Sequence, residues 1–456
     1  MAIRETLERE VKLRACEDFT LPELGGEAIE PRLFVSTYHD TADHRLARRG
    51  VTLRHRLENG KGLWQLKLPA GAARLELEAP GGPATPPFEL LTLLAGHLRG
   101  VPLAPIARLR TRREGIRADG AEIVHDTVAV LDHQRVTRRF DELEVELLDG
   151  DERTLRRIEK ALRRAGAGDG ESRPKIFQAL DLDFQAEHEE AAADGSAAAT
   201  LRAHLREQAD RVLAHDPGTR LGGDVEELHQ MRVATRRLRA FLRAGRDLLD
   251  PVWTEPLREE LRWLGGALGP ARDLDVLIDH LALGVKSLGR DRVEGSKLLR
   301  TLERERRKAR RVLLAALESE RYFTLLEALE RPIATIADQP SLEEIHADEH
   351  GRLRKAVRRL GVDAPDEQLH EARIKVKRAR YAAELLGNDA YVKAAKALQD
   401  VLGEHQDAVV AEERLRSLAG KQPTGAIAAG RLIERERVAR GRADWGSASK
   451  RLAKKA

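Results

Sequence analysis

The sequence predicts a multidomain α+β protein, an antiparallel β-barrel with flanking helices followed by an all-α domain. Three observations carry that prediction. At 456 residues the chain exceeds what a single core organises. Up to residue 185, apolar and charged residues alternate at period two between turn signals, the pattern of antiparallel strands. From residue 200 the period lengthens to about 3.6 and stays there, the pattern of helices. Between the two, AEHEEAAADGSAAAT (186–200) is Ala-rich, acidic and low in complexity, which marks residues 186–199 as a linker. The expected boundaries are 1–185 for the strand domain, 200–440 for the helical domain, and 441–456 for a mobile basic tail ending SKRLAKKA.

In chain order, LEREVKL (7–13) sets Glu8, Glu10 and Lys12 on one strand face, opposite Leu7, Val11 and Leu13. TLRHRL (52–57) sets Arg54 and Arg56 against Leu53 and Leu57, with His55 on the apolar side. WQLKL (64–68) opposes Gln65 and Lys67 to Trp64, Leu66 and Leu68. RLELE (74–78) opposes Arg74, Glu76 and Glu78 to Leu75 and Leu77. RLRTR (108–112) aligns Arg108, Arg110 and Arg112, and ELEVEL (142–147) aligns Glu142, Glu144 and Glu146. ENGKG (58–62), PAGA (69–72), RADGA (117–121) and LDGDE (148–152) are the turns, and helices are expected near 86–98 and 152–165. One charged face is ordinary for a single half-solvated strand. Six faces that are almost purely ionic, three basic and three acidic or mixed, fit a closed barrel with an ionic lumen. Basic walls would hold a polyanion, and acidic walls the cation that accompanies it. Glu-x-Glu on a strand aims two carboxylates the same way about 6.5–7 Å apart, as a hard divalent ion requires.

Taken in order, these segments resemble the CYTH domain, the triphosphate tunnel metalloenzyme family. Glu8-x-Glu10-x-Lys12 is similar to its ExExK signature. The likeness continues through YHDTADHRLARRGVTLRHR (38–56), WQLKLP (64–69), RLELE (74–78), RLRTRR (108–113), the aspartate of VHDTV (124–128), FDELEVEL (140–147) and the lysine of RPKIFQAL (173–180). The resemblance implies an antiparallel tunnel that binds a triphosphate with one or two divalent ions, Mg²⁺ or Mn²⁺. It implies metal ligands at Glu8, Glu10, Glu76, Glu144 and Glu146. It implies phosphate contacts from Lys12, Arg54, Arg56, Lys67, Arg74, Arg110, Arg112 and Lys175, and a recurring acid at Asp126. Lys12, Glu142 and Glu144 are the catalytic candidates, a glutamate of the 142–146 cluster orienting the attacking water.

The helical half contains a repeat. LHQMRVATRRLRA (228–240) recurs as LHEARIKVKRARY (369–381), and LGPARD (268–273) recurs more faintly as LGEHQD (402–407). His229, Arg232, Arg236, Arg239 and Arg243 fall at steps of 3, 4, 3 and 4, one stripe along a helix. The second unit copies it as His370, Arg373, Lys377 and Arg380. Solvated faces interleave Glu with Arg at i,i+4, so a uniformly basic stripe occurring twice calls for an external anion. These residues resemble the CHAD domain, the conserved-histidine α-helical domain, over about residues 200–440. The resemblance implies two pseudo-symmetric four-helix bundles and a basic groove for long-chain inorganic polyphosphate. His229, Arg232, Arg236, Arg239, His370, Arg373, Lys377 and Arg380 are the implied contacts.

The charge is divided to match: 30 Lys and Arg against 35 Asp and Glu in residues 1–195, then 50 against 41 in residues 196–456. No apolar run approaches the ~20 residues of a membrane span, and the acid-containing N-terminus shows no targeting segment. A cytoplasmic location is therefore expected, on polyphosphate granules where the helical half engages the polymer. The single cysteine, Cys16, forms no internal disulfide. Four Tyr, four Trp and eight Phe are too few for a base-stacking surface, which disfavours nucleic acid. The expectation is an inorganic triphosphatase, splitting tripolyphosphate into pyrophosphate and phosphate, attached to a polyphosphate-binding domain. Two alternatives stay open: a non-catalytic polyphosphate-binding or granule-targeting protein, and a nucleotide-acting enzyme (adenylyl cyclase, nucleoside or thiamine triphosphatase). Nothing in the sequence assigns an oligomeric state.

Overall fold

A computed structural model describes residues 3–455 except 16–18, 23, 184–194, 332, 334, 338, 362–363, 422–424 and 441–443. Cys16 and most of the expected linker lie outside the described residues. The chain divides into two compact units, Met1–His188 and Glu189–Ala456. Among the described residues no helix is long and apolar enough to cross a membrane.

The first unit holds ten strands: β1 (Arg4–Glu8), β2 (Glu10–Ala15), β3 (Glu27–Asp40), β4 (Thr52–Glu58), β5 (Lys61–Ala70), β6 (Ala73–Pro80), β7 (Ala104–Ala118), β8 (Ala121–Asp132), β9 (Arg135–Leu147) and β10 (Ala167–Asp169). They make one antiparallel sheet in the order β1-β6-β5-β4-β3-β7-β8-β9-β2-β10. The two flanks of that order share one stretch of chain. β1 pairs with β6 and β2 with β9, and only Arg9 lies between β1 and β2. The Leu147 amide donates to the Arg9 carbonyl at 2.9 Å, so the junction is itself bonded to β9. The β4–β5 and β7–β8 hairpins turn on Asn59-Gly60 and Asp119-Gly120, all at positive φ (50°, 74°, 52° and 75°). That is the type I′ turn, whose twist matches the strands it joins.

Helices α1 (Phe88–Leu93), α2 (Ala95–Leu98) and α3 (Glu152–Arg164) fall where the sequence places them, and α4 (Lys175–Leu180) was not expected. Asp151 caps α3 by accepting from the Arg153 and Thr154 amides. Leu155, Ile158 and Leu162 of α3 then bury against Leu13, Leu143 and Val145. α4 starts directly after Pro174 and places Ile176 and Phe177 in a core with Tyr38, Leu109 and Val128. Six residues are too few to show a helical period.

The second unit is all-helical: α5 (Ala197–Ala214), α6 (Asp216–Leu221), α7 (Val225–Ala244), α8 (Pro251–Lys286), α9 (Arg292–Leu317), α10 (Glu320–Glu330), α11 (Leu342–Arg358), α12 (Asp366–Leu385), α13 (Asp389–Lys421), α14 (Ala426–Arg440) and α15 (Trp445–Ala453). Ser196, Asp224, Asp250, Ser319 and Ser341 cap their helices by accepting from backbone amides. The sequence repeat returns as a repeat of lengths. α5, α7, α8 and α9 run 18, 20, 36 and 26 residues; α11, α12, α13 and α14 run 17, 20, 33 and 15.

Among the described residues, the buried side chains of this unit gather in three clusters. One gathers Leu205, Leu238, Leu264, Leu313 and Leu325 from α5 and α7–α10. A second gathers Leu353, Val376, Leu398 and Leu452 from α11–α13 and α15. The third joins Leu281 and Leu302 of α8 and α9 to Leu415 and Leu432 of α13 and α14. The two longest helices are long because each serves two cores. Two boundary expectations change: Ala197–Ala199 open α5 rather than ending a linker, and residues 445–453 of the expected mobile tail form α15, with Ala448 and Leu452 buried in the second core.

Candidate functional site

Period two turns the charged faces of the strands onto one cavity of about 320 Å³. Glu8, Glu10, Lys12, Arg54, Arg56, Lys67, Arg74, Glu76, Glu144 and Glu146 all line it, together with Lys175 at the start of α4. Glu142 is buried at the wall, 1% exposed, in ion contact with Lys175 and 3.5 Å from Lys12. Neither Glu142 oxygen makes an aligned hydrogen bond. His55 faces away, 3.0 Å from the Gly81 carbonyl and edge-on to Trp64.

Arg110 and Arg112 correct the sequence reading: both are exposed, and Arg112 pairs with Glu114 on the outside of β7. The inward residues of β7 are Leu109 and Thr111, which are buried, and then Arg113, which lines the cavity. Leu109 packs against Ile176 and Phe177, so this part of the concave face is filled with apolar groups by α4 and only its continuation is ionic. The sequence reading missed Arg113. Its signal was the Arg112-Arg113 doublet, which offers a guanidinium to both faces.

The cavity charges sort into two groups. Around Glu144 three acids, Glu144, Asp126 and Glu142, meet three cations, Lys12, Lys175 and Arg113. Glu144 Oε1 lies 2.5 Å from Lys175 Nζ and 3.5 Å from Lys12 Nζ, and its Oε2 lies 2.5 Å from Arg113 Nη2. Burial opposes its ionisation, but Lys175, Lys12 and Arg113 hold its pKa well below the carboxylate range. Arg113 also clasps Asp126 through two bonds of 2.7 Å, and Lys175 stands 3.0 Å from the same carboxylate. Burial works against the Lys175 ammonium, yet Glu144, Asp126 and Glu142 raise it well above its ordinary value. Glu142 is pushed upward by burial more than Lys175 and Lys12 pull it down.

The second group is rich in carboxylates. The register sets Glu10 opposite Glu146 and Glu146 opposite Glu122, like charges across neighbouring strands. Burial and then Glu8 push the Glu146 pKa up to about 7. Burial also raises Glu8, which Lys67 opposes from 2.6 Å. Glu76 Oε1 is buried without an aligned hydrogen bond, with Lys67 Nζ 3.5 Å away. Among the described residues no three His, Cys, Asp or Glu side chains already converge on a metal position. The oxygens of Glu8, Glu10, Glu76 and Glu146 are nevertheless hard donors with too few cations, whereas Glu144 is already satisfied by three.

In the helical unit the two stripes meet. Arg236 Nε of α7 donates to Tyr381 Oη of α12 at 2.8 Å. The Lys377 ammonium is pushed down to about 8 by burial and then by Arg373, Arg236, Arg232 and Arg380. Five expected contacts from both repeats therefore share one field. His229 is lowered by burial and Arg272, and His370 Nδ1 bonds Gln406 Oε1 at 2.9 Å. Arg239 instead neighbours Arg262 and Arg258 of α8, and Arg380 is engaged with Glu384 at 3.3 Å.

A sheet that turns paired strand charges onto an ionic cavity, followed in one chain by a helical repeat with a basic seam, defines a two-domain protein built to handle anions. Residues 6–173 match the CYTH domain and residues 203–416 the CHAD domain. Two uncharacterized proteins of Mycobacterium tuberculosis, from strains CDC 1551 / Oshkosh and H37Rv, are each 33% identical over 462 residues, covering 90% of this chain and 88% of theirs. The chain belongs to the family in which a CYTH domain is followed by a CHAD domain. Among solved structures it is similar to PptA from Streptomyces chartreusis (24% identity, TM-score 0.48, covering 57% of this chain and 99% of that one). It is similar also to the CHAD domain from the plant Ricinus communis (28% identity, TM-score 0.48, covering 57% and 93%). A putative adenylate cyclase from Bacillus halodurans is 19% identical at TM-score 0.31, covering 38% and 97%.

Proposed function

We propose that the sheet unit is a metal-dependent inorganic triphosphatase, cleaving tripolyphosphate to pyrophosphate and phosphate, and that the helical unit binds long-chain polyphosphate. In this reading the sheet closes into a tunnel through residues 4–15, which pair with β6 on one side and β9 on the other. The observation that carries the substrate is the lining. Nine Lys and Arg and eight Asp and Glu surround about 320 Å³, and the two aromatic residues there are engaged. Arg56 lies 3.7 Å over the Phe34 ring, and the Tyr38 hydroxyl accepts from Arg54 at 3.2 Å. That leaves phosphate contacts in abundance and, among the described residues of the lining, no free ring on which a nucleobase would stack.

Glu8, Glu10, Glu76 and Glu146 would hold Mg²⁺ or Mn²⁺, which when bound supplies charge neutralisation at the terminal phosphoryl oxygens and the leaving pyrophosphate. Lys12, Arg54, Arg56, Lys67, Arg74, Arg113 and Lys175 bind the phosphate oxygens. Glu144 and Asp126 position Arg113 and Lys175 at the wall before substrate arrives. When Lys12 and Lys175 turn toward phosphate, the Glu142 carboxylate is freed, and its burial suits it to orient the attacking water and take its proton. The helical unit would hold the enzyme on polyphosphate.

The test is phosphate release from tripolyphosphate, ATP, thiamine triphosphate and long-chain polyphosphate with Mg²⁺ or Mn²⁺, for the wild type and Glu8→Gln/Glu10→Gln. Turnover of tripolyphosphate well above the others, lost in the variant, is expected. Faster turnover of ATP would make this a nucleotide enzyme. Binding without any turnover would make it a receptor.

A further inference from the structure

The second motif of the helical repeat has no part in the reading above, yet its last residue does the same thing twice. In the first repeat Arg232 Nη1 donates to Asp273 Oδ1 at 2.5 Å. In the second, Arg373 Nη2 stands 4.0 Å from Asp407 Oδ1. Arg232 and Arg373 hold equivalent places in LHQMRV and LHEARI, as Asp273 and Asp407 do in LGPARD and LGEHQD. Each repeat therefore ties the arginine of its own stripe, on α7 or α12, to its own long helix, α8 or α13.

These acids stand among the cations expected to receive the anion. Asp407 lies in the field of Arg373, His280 and Lys377, and within electrostatic reach of Asp273. Both pairs are partly open to water: Asp273 is 67% and Asp407 52% exposed. A pair so placed is weak and exchangeable. An arginine held this way is pre-aimed, but it is not idle.

We propose that Asp273 and Asp407 are internal counter-anions of the basic seam, which a bound phosphate chain must displace from Arg232 and Arg373. They hold the seam's affinity down and return to the arginines as the chain leaves. The inference rests on the proposed binding of polyphosphate by the helical unit. It makes a prediction about salt as well as affinity. In the wild type these two arginines are neutralised by the protein, so chain binding expels few small anions from them. With the carboxylates gone, small anions gather there and are expelled, and the salt dependence steepens.

The experiment is titration of the full-length protein with long-chain polyphosphate at two salt concentrations. The variants are Asp273→Asn, Asp407→Asn and both together, with Arg236→Ala/Lys377→Ala as the control on the seam and circular dichroism as the check on folding. Each single variant should bind about threefold tighter and the double variant roughly tenfold, with slower release and a steeper salt dependence. Should the double variant unfold, the single variants carry the same sign. Weaker binding by a folded Asn variant would make the acids positioning groups for the arginines and overturn the proposal. Unchanged affinity and salt dependence, against a wild type that binds, would overturn it alone. A wild type that ignores polyphosphate, or a control variant that binds as the wild type does, would overturn the underlying reading and this inference with it.

Discussion

The cavity and the seam are built from the same residue types and rest in opposite electrostatic states. In the cavity, nine cations face eight anions, and Lys175 and Glu144 are both driven further into their charged forms. In the seam, Lys377 is driven toward neutrality, to about 8. Backbone periodicity accounts for the difference. Antiparallel register sets Lys12 opposite Glu144, Lys67 opposite Glu76 and Arg113 opposite Asp126, so folding itself pairs the charges. A helical stripe places like charges at i+3 and i+4, so that Arg236, Arg232 and Arg373 find their partners on other helices. The cavity would thus take up an anion by exchanging partners throughout, whereas the seam would exchange partners at Arg232 and Arg373 and be newly neutralised at Lys377.

The largest effect should follow from breaking the paired state. Glu144→Gln leaves Lys12, Lys175 and Arg113 buried with one partner fewer, which should cost the sheet unit about 3–5 kcal/mol. Thermal unfolding would show it, and added tripolyphosphate should restore part of the loss by supplying the missing negative charge. The matching change in the seam, Arg236→Ala, removes a cation from a repelling group but also its hydrogen bond to Tyr381, and should cost only about 1 kcal/mol. Equal losses at both sites would break the comparison.

A smaller effect separates the two faces of β7. Arg113→Lys keeps a charge but loses the two-pronged grip on Asp126, and should lower kcat/KM for tripolyphosphate about 10- to 100-fold. Arg110→Ala and Arg112→Ala should stay within about twofold of the wild type, since both side chains are exposed on the far face. Loss of turnover in Arg110→Ala would return that residue to the substrate.

How far the sequence could be read follows the same division. The ionic strand faces were legible because period two leaves no ambiguity where polar and apolar residues alternate strictly, as at Glu8 to Lys12 and Glu142 to Glu146. RLRTRR misleads because charge on a strand face does not by itself mean lumen. The inner face of β7 begins apolar, at Leu109, where α4 fills the concavity, and becomes ionic only at Arg113. The helical stripes were legible as well, since Arg232, Arg236, Arg373, Lys377 and Arg380 do share one field. The third core was not. It exists because α8 and α13 each run on beyond the first core they serve, and Pro256 and Pro270 lie inside α8, where a sequence reading looks for a boundary.

The smallest effect is the most specific to the seam. Burial, and then Arg373, Arg236, Arg232 and Arg380, hold free Lys377 at about 8. A bound phosphate chain supplies negative charge and returns it toward its ordinary value of 10.5. The sign follows. Below about pH 8 the ammonium is already charged, so affinity is flat there. Above it, binding must draw a proton from solution, so affinity should fall by up to about tenfold per pH unit until the bound-state pKa is reached. Calorimetry in buffers of different ionisation enthalpy would register that proton uptake directly. Lys377→Arg should abolish both the uptake and the slope, because a guanidinium stays charged throughout. Tripolyphosphate binding in the cavity should show no such step near pH 8 from Lys12 or Lys175, whose acid partners raise both above their ordinary value. A wild-type seam with a flat profile would mean that Lys377 is already neutralised, and the contrast between the two regions would fall with it.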